Sequence, residues 1–399
     1  SMYNPNQAMG LILDVKTGEV LAMSSYPFYD PSNYQDYSSE IINRNLPIFY
    51  QFELGSTFKI ITYAAALDLG LFDLNEGIYC GGATIVSDRR IKCWKAGGHG
   101  QQTFLEGIQN SCNVCFMELG RRIGVENFYK YLELFGMMKK TGIDLSGEGS
   151  PIVQAKKICG PVELATQAFG HTSAYTPIQL SMAAIAAVNG GDLLTPYILK
   201  SIETNGGALV YENKTKIKKE VINDKTSNVM RYALENVVAK GTGRNAFVEG
   251  GRVGGKTGTA QVILPGGGYE NGRYIVSFLG MAPMNDPEIL VYLALDNPKG
   301  VIQYGGTIAA PLAGEILEQS INYLGINRDY ENQIEKNLRW FLDTPTYKVD
   351  NYIGKTKKDI KQNQFYKYIF YGEGNNVIYQ SPNQGERIKE GDTIMLYMG

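Results

Sequence analysis

The sequence predicts an α/β (α+β) protein in which an antiparallel sheet is flanked by helices and a helical lobe, followed by a small α+β domain. Strand-like segments occur near both ends of the first 330 residues, and apolar helical patterns lie between them. Strands from distant parts of a chain often join in one sheet that helices cover. The composition shifts after about residue 340. We therefore expect a large domain over residues 1–330, a linker over 331–345 and a small domain over 346–399.

A hairpin is expected first, because residues 9–15 and 20–25 are strand-like and a glycine-containing turn joins them. A proline-rich loop follows. The apolar, alanine-rich run that begins at Gly55 then predicts a buried helix, which ends near Gly70 after roughly four turns.

Helical patterns and strands alternate through the rest of the chain. Helices are expected over residues 104–110, 114–123, 125–135, 162–188, 227–240 and 308–324. Strands are expected over residues 252–264, 273–283 and 288–296. In the small domain, we expect a helix over residues 356–362 and strands over 366–371, 376–380 and 393–398.

Composition excludes several classes of function. The net charge is −2, so nothing favours nucleic acid as a partner. No apolar stretch approaches the roughly 18 residues that a membrane-spanning helix needs. Five cysteines form an odd and sparse set rather than a disulfide framework. The only histidines are His99 and His171, the latter expected in a loop or core, so a lysine base is more attractive than a Ser-His-Asp triad.

Ser56 and Lys59 stand at the start of the predicted buried helix and form the pattern S-x-x-K. Residues three apart on a helix are neighbours, with roughly 5–6 Å between their Cβ atoms, so we expect the hydroxyl and the amine within hydrogen-bond reach. A lysine whose pKa is lowered by burial and by a second cation can take the proton of a serine nucleophile. Alone, the pattern fits a serine N-cap beside an exposed lysine equally well.

Two downstream motifs strengthen the catalytic interpretation. Ser111-Cys112-Asn113 is expected on a loop between two helices, and Lys256-Thr257-Gly258-Thr259 on a strand. Residues 250–257 also satisfy the phosphate-loop pattern G-x-x-x-x-G-K-T. That motif requires a helix that starts at the Lys-Thr pair, whereas the following residues predict a strand and a turn. We therefore expect no nucleotide site here.

In this order and at these separations, the three motifs resemble the S-x-x-K, S-x-N and K-T-G marks of the penicillin-binding and serine β-lactamase superfamily. The resemblance is to class B penicillin-binding proteins, the monofunctional peptidoglycan transpeptidases, and it covers about residues 7–325. Segments 43–59, 170–179 and 256–260 are also similar to that family. Leu54 stands where the family usually has proline, which should alter the stiffness of the loop rather than the chemistry.

The resemblance implies roles for the first two motifs. Ser56 attacks the carbonyl of a D-Ala-D-Ala stem peptide and forms an acyl-enzyme. Lys59 takes the proton of the serine. Ser111 relays that proton to the leaving amine, and Asn113 holds the substrate amide.

The third motif is assigned to electrostatics and substrate binding. Lys256 supplies a positive charge that helps to keep Lys59 neutral. Thr257, Gly258 and Thr259 form the substrate-binding strand, and the two hydroxyls suit the terminal carboxylate of the donor peptide. The resemblance places the oxyanion hole at the backbone N–H groups of Ser56 and Thr259, where each donor is typically worth ~3–4 kcal/mol.

The implied function is that of a cell-wall D,D-transpeptidase that is inhibited covalently by β-lactams and needs no cofactor for its chemistry. The resemblance further implies the extracytoplasmic face of a bacterial membrane, an N-terminal membrane segment outside this sequence, a membrane-bound glycosyltransferase or divisome-type partner, and a role in division or sporulation. No E-x-x-L-N segment of the β-lactamase type lies between Asn113 and Lys256, so we expect a long-lived acyl-enzyme. A β-lactam sensor without turnover and a catalytically inert scaffold remain as alternatives.

Cys80, Cys93 and His99 form a set with the spacings C-x12-C and C-x5-H across a predicted hairpin. Two thiolates and an imidazole suit a tetrahedral structural zinc ion, which would brace the loop that leads to Ser111. The candidates for a fourth ligand are Asp73, Asp88, Cys112 and Cys115. A Cys80–Cys93 disulfide, which suits an extracytoplasmic protein, and two reduced buried thiols are the alternatives.

The C-terminal segment resembles a PASTA domain. The matching stretches are 349–355, 372–375, 380–385 and 389–392. This resemblance implies a docking module for cell-wall peptides, with a purely structural cap as the alternative.

Overall fold

The computed structural model describes residues 3–264, 266–337, 346–361, 366–389 and 392–399. The chain divides into two compact units, Ser1–Glu335 and Lys336–Gly399. Part of the predicted linker, from residue 338 to residue 345, lies outside the described residues.

The first unit combines short and long strands with helices of very different length. Its strands are β1 (Gln7–Asp14), β2 (Val20–Tyr26), β3 (Gly77–Cys80), β4 (Ala83–Val86), β5 (Arg89–Lys92), β6 (Gly100–Thr103), β7 (Asp192–Leu194), β8 (Ser201–Glu203), β9 (Leu209–Glu212), β10 (Ile217–Glu220), β11 (Gly254–Ile263), β12 (Tyr269–Ala282) and β13 (Ile289–Asp296). Its helices are α1 (Ser39–Ile42), α2 (Leu46–Phe49), α3 (Lys59–Asp68), α4 (Phe104–Gln109), α5 (Asn113–Leu134), α6 (Pro161–Gln167), α7 (Pro177–Val188), α8 (Asp224–Lys240) and α9 (Ala309–Leu324).

A five-stranded antiparallel sheet forms the centre of the first unit, in the order β11-β12-β13-β1-β2. It joins strands from the two ends of the unit, as the sequence predicts. Alternate residues of β12 and β13 enter two cores on opposite faces: Leu279 and Tyr292 face the core shared with the helical lobe, and Phe278 and Val291 face the core under α9. Strand β11 lies at the edge of the sheet, so one of its sides is not paired within it.

The helical lobe is built largely from α3, α5 and α7. Every residue of α7 is buried, and the helix begins with Pro177 after a capping box between Thr176 and Gln179. Helix α5 contains a break at Gly124, whose φ is +73°, which agrees with the two separate helical patterns predicted there. Within the described residues, no helix combines the length and the apolar character needed to cross a membrane.

The segment around Ser56 differs in detail from the predicted single helix. Residues Gly55–Phe58 form a 3-10 turn, and the α-helix begins only at Lys59 and ends at Asp68. Gly55 requires a positive φ of +54°, which glycine adopts at little cost. The tighter turn places Ser56 on the loop side of the helix start.

The second unit contains two small sheets. Its strands are β14 (Thr346–Lys348), β15 (Lys367–Tyr371), β16 (Val377–Ser381), β17 (Arg387–Lys389) and β18 (Thr393–Met398). Strand β14 pairs with β17, and β18 lies between β15 and β16. The second unit has its own apolar core, which includes Ile394 and Leu396.

The helix predicted over residues 356–362 is wrong for residues 356–361, which form turns and a bridge. Residue 362 lies outside the described residues. The carboxylate of Asp359 accepts hydrogen bonds from the backbone N–H of Thr356, at 3.0 Å, and from its hydroxyl, at 2.7 Å. The assignment of this unit as a PASTA domain stays a prediction.

Leu317→Ala should lower the free energy of unfolding of the first unit by about 3 kcal/mol, because Leu317 is fully buried between α9 and the sheet. Leu324→Ala on the same helix is the matched control. Its side chain is 46% exposed, so we expect a loss of less than about 1 kcal/mol. Urea unfolding of the two variants measures the difference, and equal losses would contradict the packing of α9.

Candidate active site

Ser56 lies in the 3-10 turn before α3 and is half-buried. The backbone N–H of Gly55 donates a 3.0 Å hydrogen bond to Gly170 O. A Cβ atom at residue 55 would lie 2.9 Å from Thr259 O of β11. The turn that carries the predicted nucleophile is therefore packed directly against the predicted substrate-binding strand.

Lys59 is fully buried, and its amine points to the loop before α5. Lys59 Nζ lies 2.7 Å from both Ser111 O and Asn113 Oδ1, and 3.2 Å from Ser111 Oγ. The Phe116 ring centroid lies 5.1 Å from the same nitrogen. The structure thus brings the first two motifs together. Within the described residues, however, no hydrogen bond joins Lys59 Nζ to Ser56 Oγ, so the expected direct contact is absent.

Lys256 completes the group from the opposite side. Its Nζ lies 2.9 Å from Ser111 Oγ and 3.3 Å from Thr257 O, and the side chain is fully buried. One serine hydroxyl therefore contacts two lysine amines. Ser111 itself has a φ of +52°, an uncommon conformation for a residue with a side chain. Such backbone conformations concentrate where function requires an exact placement of groups.

The pKa values of both buried lysines are lowered. Burial lowers the pKa of Lys59 to about 8, in the direction that the sequence analysis expects. Burial also lowers the pKa of Lys256 well below the usual lysine value, and the positive charge of Lys59 lowers it further. Two ammonium groups on one hydroxyl repel each other, which disfavours a charge on both amines at once. The role of Lys256 as a positive charge beside Lys59 stays a prediction.

The Lys256–Thr259 segment lies on β11, as predicted. Thr257 Oγ1 donates a 3.1 Å hydrogen bond to Thr242 Oγ1, and Thr259 Oγ1 accepts one of 3.1 Å from the backbone N–H of Gly305. At Gly258, a Cβ atom would lie 2.3 Å from Ser277 Oγ, so only glycine fits without displacement. No helix starts at Lys256, which removes the geometry that a phosphate loop requires.

The Cys/His cluster gains Cys112 as its fourth member. The ligand atoms of Cys80, Cys93, His99 and Cys112 all lie within 4.8 Å of one another. Cys93 Sγ is 3.7 Å from His99 Nδ1, close to the roughly 3.6 Å that two ligands of a tetrahedral zinc ion would show. Among the residues that the structure describes, the buried His99 Nε2 has no hydrogen-bond partner. The five cysteines are free, so no Cys80–Cys93 disulfide is formed.

Within this cluster Cys93 favours the thiolate, whereas the hydrogen bond with Cys93 raises the pKa of Cys112. A hydrogen bond with Cys112 lowers the pKa of Cys93 to about 4, and the neighbouring His99 adds to this effect. A metal ion binds the deprotonated sulfur, so the residues present fit a zinc ion of the Cys3His type. The remaining candidates for the fourth ligand, Asp73, Asp88 and Cys115, are not members of the cluster that the described residues form.

Hydrogen bonds that sequence reasoning missed connect the chain next to Cys93 with the chain around the Ser111 motif. Trp94 Nε1 donates a 3.0 Å bond to Asn110 O, and Asn113 Nδ2 donates a 3.4 Å bond to Lys92 O. The indole of Trp94 also meets the ring of His99 edge to face, with centroids 5.5 Å apart. A tryptophan beside a predicted metal ligand was the only sequence signal for this connection.

Two buried amines on one serine hydroxyl, beside a serine at a helix start and a lysine-threonine strand, form the candidate active site. The sequence model of one protein family, the penicillin-binding protein transpeptidase domain, matches residues 8–318. The chain therefore belongs to the penicillin-binding protein transpeptidase family, which confirms the fold class and the family that the sequence motifs indicate.

Among its relatives is stage V sporulation protein D of Bacillus subtilis, 48% identical over 399 residues, which cover 99% of this chain and 61% of the relative. Penicillin-binding protein PbpB of Mycolicibacterium smegmatis is 32% identical over 323 residues, 77% of this chain and 48% of the relative. The chain thus spans between about half and three-fifths of the length of these relatives.

A solved structure with the same fold is penicillin-binding protein 3 of Mycobacterium tuberculosis, complexed with aztreonam. It has a TM-score of 0.76 and 27% sequence identity, and the match covers 84% of this chain and 77% of that one.

The rate of Ser56 acylation by penicillin should rise about tenfold per pH unit up to about pH 8 and then level off, because only neutral Lys59 accepts a proton and its pKa is about 8. Single-turnover acylation between pH 6 and 9 measures this profile, with the uncatalysed hydrolysis of penicillin subtracted. Lys59→Arg, which stays protonated over this range, is the control and should remove the rise. A flat profile for the wild type would contradict the assignment of Lys59 as the base.

Proposed function

We propose that this chain is a serine D,D-transpeptidase that cross-links peptidoglycan stem peptides through an acyl-enzyme on Ser56. The observation that carries the proposal is the pair of hydrogen bonds from Lys59 and Lys256 to Ser111 Oγ, 3.2 Å and 2.9 Å long, beside the Ser56 turn. This group provides a nucleophile, a base with a lowered pKa and a hydroxyl that can relay a proton. Membership of the transpeptidase family supports the same reaction.

In the proposed reaction, Ser56 Oγ attacks the carbonyl carbon between the two terminal D-alanines. Neutral Lys59 takes the proton of Ser56. The Ser111 hydroxyl gives its proton to the departing D-alanine nitrogen and takes one back from the Lys59 ammonium, which it contacts at 3.2 Å. The products of this step are an ester on Ser56 and free D-alanine. An amine of a second stem peptide then attacks the ester, forms the new amide and returns the proton to Ser56.

The strand β11 provides the binding surface for the donor. Thr257 and Thr259 present hydroxyls to the terminal carboxylate, and the backbone N–H groups of Ser56 and Thr259 would form the oxyanion hole. Asn113 would hold the substrate amide through its side-chain nitrogen, because its oxygen accepts from Lys59. A β-lactam places its strained carbonyl at the same position and, without a dedicated deacylating base, stays bound.

The cellular setting is proposed from the relatives. Because one relative is named a sporulation protein, we place the chain in peptidoglycan synthesis during sporulation, with division as the alternative role. The substrate lies outside the cytoplasm, so we place the enzyme on the extracytoplasmic face of the membrane, with a membrane-bound glycosyltransferase as its partner. The small unit is proposed to be a PASTA-type docking module, on the basis of its matching sequence stretches.

The Cys/His cluster is proposed to hold a structural zinc ion through Cys80, Cys93, His99 and Cys112. When bound, zinc would link the β3–β6 segment, which holds Cys80, Cys93 and His99, to the Ser111 loop, which holds Cys112. It would contribute stability rather than chemistry, because all four ligand positions are filled by protein atoms.

Incubation with penicillin should add the mass of one penicillin molecule to the wild-type chain and none to Ser56→Ala. Intact mass spectrometry under denaturing conditions measures the adduct. Absence of an adduct on folded wild-type protein would contradict the acyl-enzyme. Turnover of a D-Ala-D-Ala thioester then separates the alternatives: a transpeptidase releases product repeatedly, a sensor is acylated once, and a scaffold does not react.

The purified chain should contain about one zinc ion per molecule by elemental analysis, and Cys80→Ala should lose most of it. Cys115→Ala is the matched control, because Cys115 is an equally buried thiol outside the cluster, and it should retain the metal. Equal zinc contents in the two variants, or none in the wild type, would contradict the zinc assignment.

A further inference from the structure

Glu53 is a buried carboxylate near Ser56 that the proposed chemistry does not use. Its side chain is only 3% exposed. Oε1 accepts a 2.6 Å hydrogen bond from the backbone N–H of Thr172. Oε2 accepts a 3.0 Å bond from the hydroxyl of Tyr269 and lies 2.8 Å from His171 Nδ1. One carboxylate therefore ties together three segments that are distant in the sequence.

These three segments surround the predicted oxyanion hole. Glu53 precedes Ser56 by three residues on the same loop. The turn that carries His171 and Thr172 follows Gly170, whose carbonyl accepts from Gly55 N–H. Tyr269 begins β12 and pairs with Ile263, on the same strand as Thr259. The carboxylate thus connects the turn that provides the Ser56 N–H to the hairpin that provides the Thr259 N–H.

The turn after Gly170 is shaped to reach this carboxylate. Thr172 has a φ of +76°, a strained conformation for a β-branched residue. Gly170 has a φ of +94°, and a Cβ atom there would lie 1.9 Å from Gly55 O. Strained backbone conformations persist only where the surrounding structure holds them in place. Here the hydrogen bond from Thr172 N–H to Glu53 supplies such a restraint.

Tyr269 is suited to the role of a proton donor in this group. Burial, together with the carboxylate of Glu53, raises the pKa of Tyr269, so its hydroxyl keeps its proton. His171 Nδ1 also lies 3.2 Å from the same hydroxyl. Hydrogen bonds to an ionised carboxylate are stronger than those between neutral groups, and a glutamate accepts from both the Thr172 N–H and the Tyr269 hydroxyl.

We propose that Glu53 is a positioning residue for acylation, which fixes the spacing of the Ser56 and Thr259 backbone N–H groups through its hydrogen bonds from Thr172 and Tyr269 and its contact with His171. The inference rests on the proposed serine acylation. It predicts that a loss of these bonds slows the chemical step more than it weakens the initial binding of the β-lactam, because the oxyanion develops only in the transition state.

Glu53→Gln keeps the size of the side chain but replaces one acceptor oxygen by a donor nitrogen. If the amide oxygen stays on Thr172 N–H, the nitrogen faces the Tyr269 hydroxyl, which donates to the carboxylate in the wild type. We expect the first-order acylation constant to fall about tenfold or more, with the dissociation constant of the preceding non-covalent complex changed by less than about threefold. Stopped-flow single-turnover kinetics with a chromogenic β-lactam separates these two constants.

Asp68→Asn is the matched control for the loss of a carboxylate. Asp68 lies at the opposite end of α3 from Ser56 and accepts a 3.2 Å bond from the backbone N–H of Asn223 and a 2.5 Å bond from the hydroxyl of Tyr131. Like Glu53, Asp68 accepts hydrogen bonds from one backbone N–H and one tyrosine hydroxyl, but it lies away from the Ser56 turn. We expect a lower melting temperature for this variant and an acylation constant within about twofold of the wild type.

Tyr269→Phe keeps the proposal testable even where Glu53→Gln fails to fold, since it removes only a hydroxyl from a side chain that is 43% exposed. We expect its acylation constant to fall at least about threefold. Wild-type acylation constants in Tyr269→Phe or in a folded Glu53→Gln would overturn the proposal, and so would an equal loss in Asp68→Asn. A wild-type chain that is not acylated at all would instead overturn the proposed function, and the inference with it.

Discussion

The contact of two buried lysines with one serine hydroxyl is the constraint on which the site depends. Lys59 and Lys256 are both fully buried, and Ser111 Oγ lies between their amines. Burying a charge is unfavourable unless it is hydrogen-bonded and paired. The protein satisfies Lys59 with two oxygens at 2.7 Å and leaves Lys256 with fewer acceptors. Burial lowers the pKa of both lysines, and a lysine that acts as a base needs a lowered pKa.

That contact in turn requires three distant parts of the chain to meet. Lys59 comes from the first turn of α3, Ser111 from the loop between α4 and α5, and Lys256 from the edge strand β11. The five-stranded sheet makes this possible, because it pairs β13 with β1 and so returns the C-terminal half of the unit to the N-terminal half. The cores on both faces of the sheet then hold β11 at a fixed distance from α3.

The sequence predicted those structural features that depend on local residue patterns and on the three catalytic motifs. The hairpin of β1 and β2, the site of Ser56 and the strand after Lys256 all follow from residue types and spacing. Residue patterns did not predict which side chains form hydrogen bonds with residues far away in the sequence. Glu53 meets its donors across 119 and 216 positions of sequence, and nothing near Glu53 indicates either partner. Cys112 was one of four candidates for the fourth zinc ligand, because the sequence does not determine the distance between the predicted hairpin and the Ser111 loop.

The differences between the predicted and the observed structure concern the partners of polar groups. Lys59 Nζ, predicted to reach Ser56, contacts Ser111 O and Asn113 Oδ1 instead. Residues 356–361, predicted as part of a helix, form turns and a bridge in which the carboxylate of Asp359 accepts from Thr356. The two groups that we propose to support the site lie beside different parts of it. The Cys/His cluster includes Cys112, next to Ser111, while Glu53 lies three residues before Ser56 and reaches the β11–β12 hairpin. A reaction that moves a proton between Ser56 and Ser111 needs both sides fixed, and backbone turns alone leave each side free to shift.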